Sequence, residues 1–107
     1  MNEELEVQIR RVLQHFDHAV AETNRERFAE HIGDVKREDF ARVASVIAEL
    51  RARYMKVVLD APSPENMDHL GEWAGKVHKY RLAYTEVMSG FTELRHALER
   101  GYFSIVD

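Results

Sequence analysis

The chain has no cysteine among its 107 residues. That removes disulfides, thiolate zinc sites and cysteine nucleophiles, and it fits a reducing compartment. Proline occurs only twice, at Pro62 and Pro64, so helix breaking by proline is confined to one place. Apolar runs of membrane-spanning length are also missing. Gly71 and Gly75 sit in the most apolar stretch, but Glu72, Lys76 and Lys79 surround them, and no membrane partner is expected. The opening Met1-Asn2-Glu3-Glu4 is acidic and lacks an apolar core, so no secretory signal is expected there and the predicted location is cytoplasmic. Basic residues are outnumbered: 15 Lys and Arg stand against 19 Asp and Glu, a formal charge of −4. Nucleic acid demands a basic footprint, so a nucleic-acid partner is not expected. Six histidines make the charge sensitive to mild acid.

What the chain does have is apolar periodicity. Phe40, Val43, Ile47, Leu50, Tyr54, Val57 and Ala61 recur at alternating spacings of 3 and 4. The same alternation returns in Met67, Leu70, Ala74, Val77, Arg81, Tyr84 and Met88. A 3.5-residue period marks helices that pack along their length. Ala61-Pro62-Ser63-Pro64 lies between the two runs, and a link that short makes the helices antiparallel. The predicted fold is all-α. It is an antiparallel helical bundle built on a long coiled-coil-like hairpin, with three main helices and a short one, completed by dimerisation. Residues 1–107 form one domain, since a chain this long can bury one core.

Helix boundaries follow from capping chemistry. Asn2 caps a first helix over residues 3–22, whose apolar face is Leu5, Ile9, Val12, Leu13, Phe16 and Val20. Thr23-Asn24-Arg25-Glu26 reads as a capping box, which predicts a bend or a new short helix over 24–31; one continuous bent helix is the competing reading. Gly33 stops it, and Asp34 caps a helix over 35–60. Ser63 at the cap and Pro64 at the first position start the last helix, over 64–100. Gly101 ends that helix, leaving an apolar tail over 102–107.

The last helix carries two apolar edges, more than one neighbour needs. Its aromatic edge, Trp73, Tyr80, Tyr84 and Phe91, together with Tyr102 and Phe103 of the tail, is the predicted interface, because Tyr and Trp join apolar area to a polar tip. Glu93-Leu94-Arg95-His96 is a Glu-x-x-His, which places carboxylate and imidazole on one helix face. The spacing resembles that of ferritin-like di-iron bundles, over four residues only. His18 and Glu22 form an i, i+4 pair that an up-down-up bundle sets toward the same end. Glu93, His96, His18 and Glu22 are therefore candidate ligands for iron or zinc across a dimer. No other cofactor is predicted. Ser45, Ser63, Ser89 and Ser104 lack the strained-turn context of a nucleophile, no catalytic residue is assigned, and the chain does not read as an enzyme. Three functions follow. The first is a small helical-bundle protein that binds a protein partner: an adaptor, assembly factor, inhibitor or immunity protein, or a small subunit of a complex. The second is a metal-binding protein with its site at a dimer interface. The third is a helical ligand or cofactor sensor that uses the aromatic edge.

Overall fold

The structure, a computed structural model, describes residues 2–107. Its elements run α1 (Glu3–His31), β1 (Val35–Lys36), α2 (Arg37–Leu59), α3 (Leu70–Glu99) and β2 (Ile105–Val106). Helix takes up 77% of the chain, so the class is all-α. No helix among the described residues is long and apolar enough to cross a membrane.

Helix α1 starts where the side chain of Asn2 takes up a free backbone donor, its Oδ1 accepting from the Leu5 amide at 2.7 Å. Glu3, Glu4 and Glu6 stand in the first turn, where the helix dipole favours negative charge. The break expected at Thr23 does not occur; α1 continues unbroken to His31. Arg25 reaches back to Glu22 at 3.1 Å across the supposed boundary, and Arg27 pairs with Glu30 at 2.9 Å in the turns that follow. Gly33 then adopts φ +66°, and the amides of Ile32 and Gly33 both donate to the Phe28 carbonyl.

Two boundaries shift. The second helix starts at Arg37 rather than at residue 35, because Val35 and Lys36 are extended and pair in parallel with Ile105 and Val106. The last helix starts at Leu70 rather than at Pro64. Ser63 is spent on a local turn: its hydroxyl donates to the Glu65 carboxylate and accepts from the Glu65 amide, and the Asn66 amide donates to the Ser63 carbonyl. Helix α3 closes in a Schellman turn, with Gly101 at φ +73°. The Gly101 amide donates to Leu98 O and the Tyr102 amide to Ala97 O, both at 3.0 Å.

The chain divides into two compact units. One comprises the segment up to Lys36 together with Ala97–Asp107. In it Val35 and Ala97 are buried, and the Phe28 ring meets Tyr102 at 5.6 Å and Phe103 at 5.9 Å, the latter nearly parallel. The tail is thus held by aromatic packing and by the β1–β2 pair. The other unit is Arg37–His96. There Ile47 is buried, Phe40 meets Phe91 edge-on at 5.8 Å, and Tyr54 lies 6.4 Å from Tyr84. Arg51 donates from Nε and Nη2 to the Tyr84 hydroxyl at 3.1 and 3.0 Å. These contacts join Phe40, early in α2, to Phe91, late in α3, and Arg51 and Tyr54, later in α2, to Tyr84 at the middle of α3.

Candidate interaction surfaces

The apolar face of α1 is the most exposed large apolar surface in the unit that holds it. Leu5, Ile9, Val12, Leu13, Phe16 and Val20 are 41–66% exposed, and Val12, Leu13 and Phe16 at the middle each exceed half. At about 100° per residue the six fall within a band about 100° wide, and no charged residue of that stretch enters it. Shallow depressions lie along the band, one lined by Leu5, Gln8, Ile9, Val12 and Leu13, the next by Phe16, Ala19, Val20, Thr23 and Asn24. The sequence shows this stripe by its spacing alone. What the spacing could not show is that the stripe stays open to solvent.

The residues read from the sequence as an interface are all half-buried. Trp73 donates its indole N–H to the Val57 carbonyl at 2.8 Å. Tyr84 bonds Arg51, whose guanidinium carbon also lies 5.3 Å from the Tyr84 ring centre. Phe91 packs on Phe40, while Tyr102 and Phe103 pack on Phe28. These five therefore have partners inside their own units. Within Arg37–His96, open apolar area lies instead at Val46, Met55, Leu59 and Leu82, with Leu59 81% exposed.

The four metal candidates fall in two pairs, one in each unit. His18 Nε2 lies 3.8 Å from Glu22 Oε1, and both side chains are exposed. Glu93 and His96 are exposed near the end of α3. Among the described residues no three His, Asp or Glu side chains are grouped as a metal ion requires.

A cleft of about 480 Å³ lies within Arg37–His96, walled by Val57, Trp73 and Tyr80. Asp60, His69, Glu72, Lys76 and Lys79 form its rim. Asp60 is taken by Lys56 at 2.5 Å and Glu72 lies 3.6 Å from His69. Counting Lys56, three lysines stand against Asp60 and Glu72, so the cleft offers aromatic walls beside an edge of one net positive charge. Two charged groups outside it are perturbed. The Ser63 hydroxyl holds the Glu65 carboxyl below its usual range, and the bond to Glu49 raises the Arg53 guanidinium. Both serve local structure and neither points to catalysis.

No family model, curated protein or solved structure matches this chain. The functional reading therefore rests on the surfaces themselves.

Proposed function

We propose that the protein works by binding other protein chains, as a homodimer that engages a further partner. An adaptor, an assembly factor, an inhibitor or immunity protein, or a small subunit of a complex all fit that description. In this reading α2 and α3 form the antiparallel hairpin of a helical bundle, and a second chain supplies the missing cover. The supporting observation is the open stripe on α1, at the upper end of the apolar patches that monomers expose. Burying such area is the main favourable term in protein association.

The test is recovery of tagged protein from its native host, comparing the natural chain with a variant carrying Val12→Glu and Phe16→Glu. A stoichiometric partner retained by the first and lost by the second supports the reading. A natural chain that emerges alone, or a partner indifferent to both changes, refutes it.

The Trp73–Tyr80 cleft favours a second reading, a helical sensor for a planar anionic ligand held between the aromatic walls and the Lys76 and Lys79 edge. Trp73 is the single tryptophan, so its fluorescence reports occupancy directly. Titration with aromatic carboxylates that leaves the emission unchanged removes this reading. The metal-binding reading keeps His18 and Glu22 as its adjacent pair and needs a second chain to complete the set. Elemental analysis of purified protein for iron, zinc and manganese, with and without added metal, decides it.

A further inference from the structure

We infer that α1 pairs with α1 of a second copy of this chain, antiparallel, about an axis passing between Val12 and Leu13. This rests on the reading above that the protein acts through its open apolar surface, and it names the surface and the occupant. Four observations carry it. First, the occupant is a helix, because the open positions recur every three or four residues along a narrow band, the pattern that a lengthwise helix neighbour fills. Second, the stripe matches itself. Positions 5, 9, 12, 13, 16 and 20 are symmetric about a point midway between 12 and 13. When two copies run in opposite directions, Leu5 therefore comes level with Val20 and Ile9 with Phe16, while Val12 and Leu13 of both copies meet at the centre. Every apolar side chain faces another, as a two-fold interface demands.

Third, charge agrees with the same alignment. Arg10 and Asp17 lie on one edge of the stripe, and neither is in an ion pair within the chain among the described residues. The antiparallel register sets Asp17 of one copy between Arg10 and Glu6 of the other, about 3 Å along the axis from each, twice by symmetry. A parallel pair would instead stack Glu3, Glu4 and Glu6 against the same three carboxylates. Antiparallel pairing keeps those two acidic turns about sixteen residues apart along the axis, roughly 24 Å and more than two Debye lengths. Fourth, the area is sufficient. The six exposed side chains present roughly 600 Å², close to the ~800 Å² per partner of a standard interface once flanking polar groups are added.

The experiment is sedimentation of the purified full chain across a concentration series, with four altered forms. The natural chain is expected to dimerise, and Val12→Glu with Leu13→Glu to sediment as a monomer. Arg10→Glu and Asp17→Arg leave the stripe intact and so guard against simple misfolding. Arg10→Glu alone is expected to weaken association roughly tenfold, Asp17→Arg alone, set between Glu6 and Arg10 of the partner copy, to change it little, and the two together to restore it. Direction is read from disulfides, since the natural chain has no cysteine to confuse them. Leu5→Cys mixed with Val20→Cys is expected to give the mixed cross-link, and Leu5→Cys alone none. A dimer untouched by the stripe substitutions, failure of the charge exchange to restore it, or a Leu5→Cys homodimer cross-link overturns the pairing. A monomeric natural chain that still carries a stoichiometric host protein overturns the pairing and leaves the interaction reading standing; a monomer that carries nothing overturns both.

Discussion

The indole N–H of Trp73 donates to the carbonyl of Val57 at 2.8 Å, spanning the link between α2 and α3. Val57 is in the last turn of α2, and its carbonyl also accepts from the Asp60 amide at 3.2 Å, so the indole is its second donor. Trp73→Phe keeps an aromatic ring of smaller area and removes the donor, so its cost bounds that of the bond from above. The expected cost is about 1 kcal/mol, or a fall in Tm of about 4–8 °C for a small domain. A melting curve superimposable on that of the natural protein shows that the bond contributes nothing.

Phe91 separates packing from association. Its ring meets Phe40 edge-on and is half-buried. Phe91→Ala is expected to cost roughly 1–3 kcal/mol, below the loss at a fully buried site. The dimer constant, measured below the melting range, is expected to stay within about threefold, well under the tenfold that 1.4 kcal/mol represents. Dissociation with an unchanged Tm would return Phe91 to the interface that the sequence suggests.

The tail supports a third prediction. Removing residues 102–107 deletes two rings from Phe28 and the strand partner of Val35 and Lys36. Hydrogen exchange in the Phe28–Lys36 stretch is expected to quicken at least tenfold, with little change in the middle of α2. Unchanged exchange there, together with loss of a bound protein, would make the tail a docking segment instead.

Acid provides a fourth. The Ser63 hydroxyl, followed by a backbone hydrogen bond, holds the Glu65 carboxyl below its usual value. A carboxyl depressed by folding adds stability above its unfolded value, and that stability disappears as pH falls through the depressed one. Ser63→Ala is therefore expected to move the Glu65 titration upward toward the ordinary range, as read from the carboxyl carbon by NMR. An unmoved titration refutes the assignment of the hydroxyl as the cause. The difference in titration is therefore read in acid, while any stability the bond adds is present near neutral pH and lost as the carboxyl protonates.

Much of this architecture was legible because it depends on local chemistry. Asn2 could be read as a cap from its place before three glutamates, and Gly33 and Gly101 as stops, because each needs only its own few neighbours. The all-α class follows from apolar spacing. What escaped the sequence depends on competition or distance. At Thr23 a capping signal lost to continuing helix, and at Ser63 the hydroxyl was taken by Glu65 two residues on, which delayed α3 to Leu70. The β1–β2 pair joins segments whose two-residue length leaves no periodic trace. The exposure of Val12, Leu13 and Phe16 was hidden for another reason, since spacing identifies an apolar face and is silent on what covers it.

The parallel contact between Val35 and Ile105 joins points seventy positions apart in the chain. Its four residues can meet only after the intervening stretch has been drawn into a closed loop, an ordering that chain statistics oppose before any reward arrives. The contact is thus a latch on a long loop, expected to close late in folding.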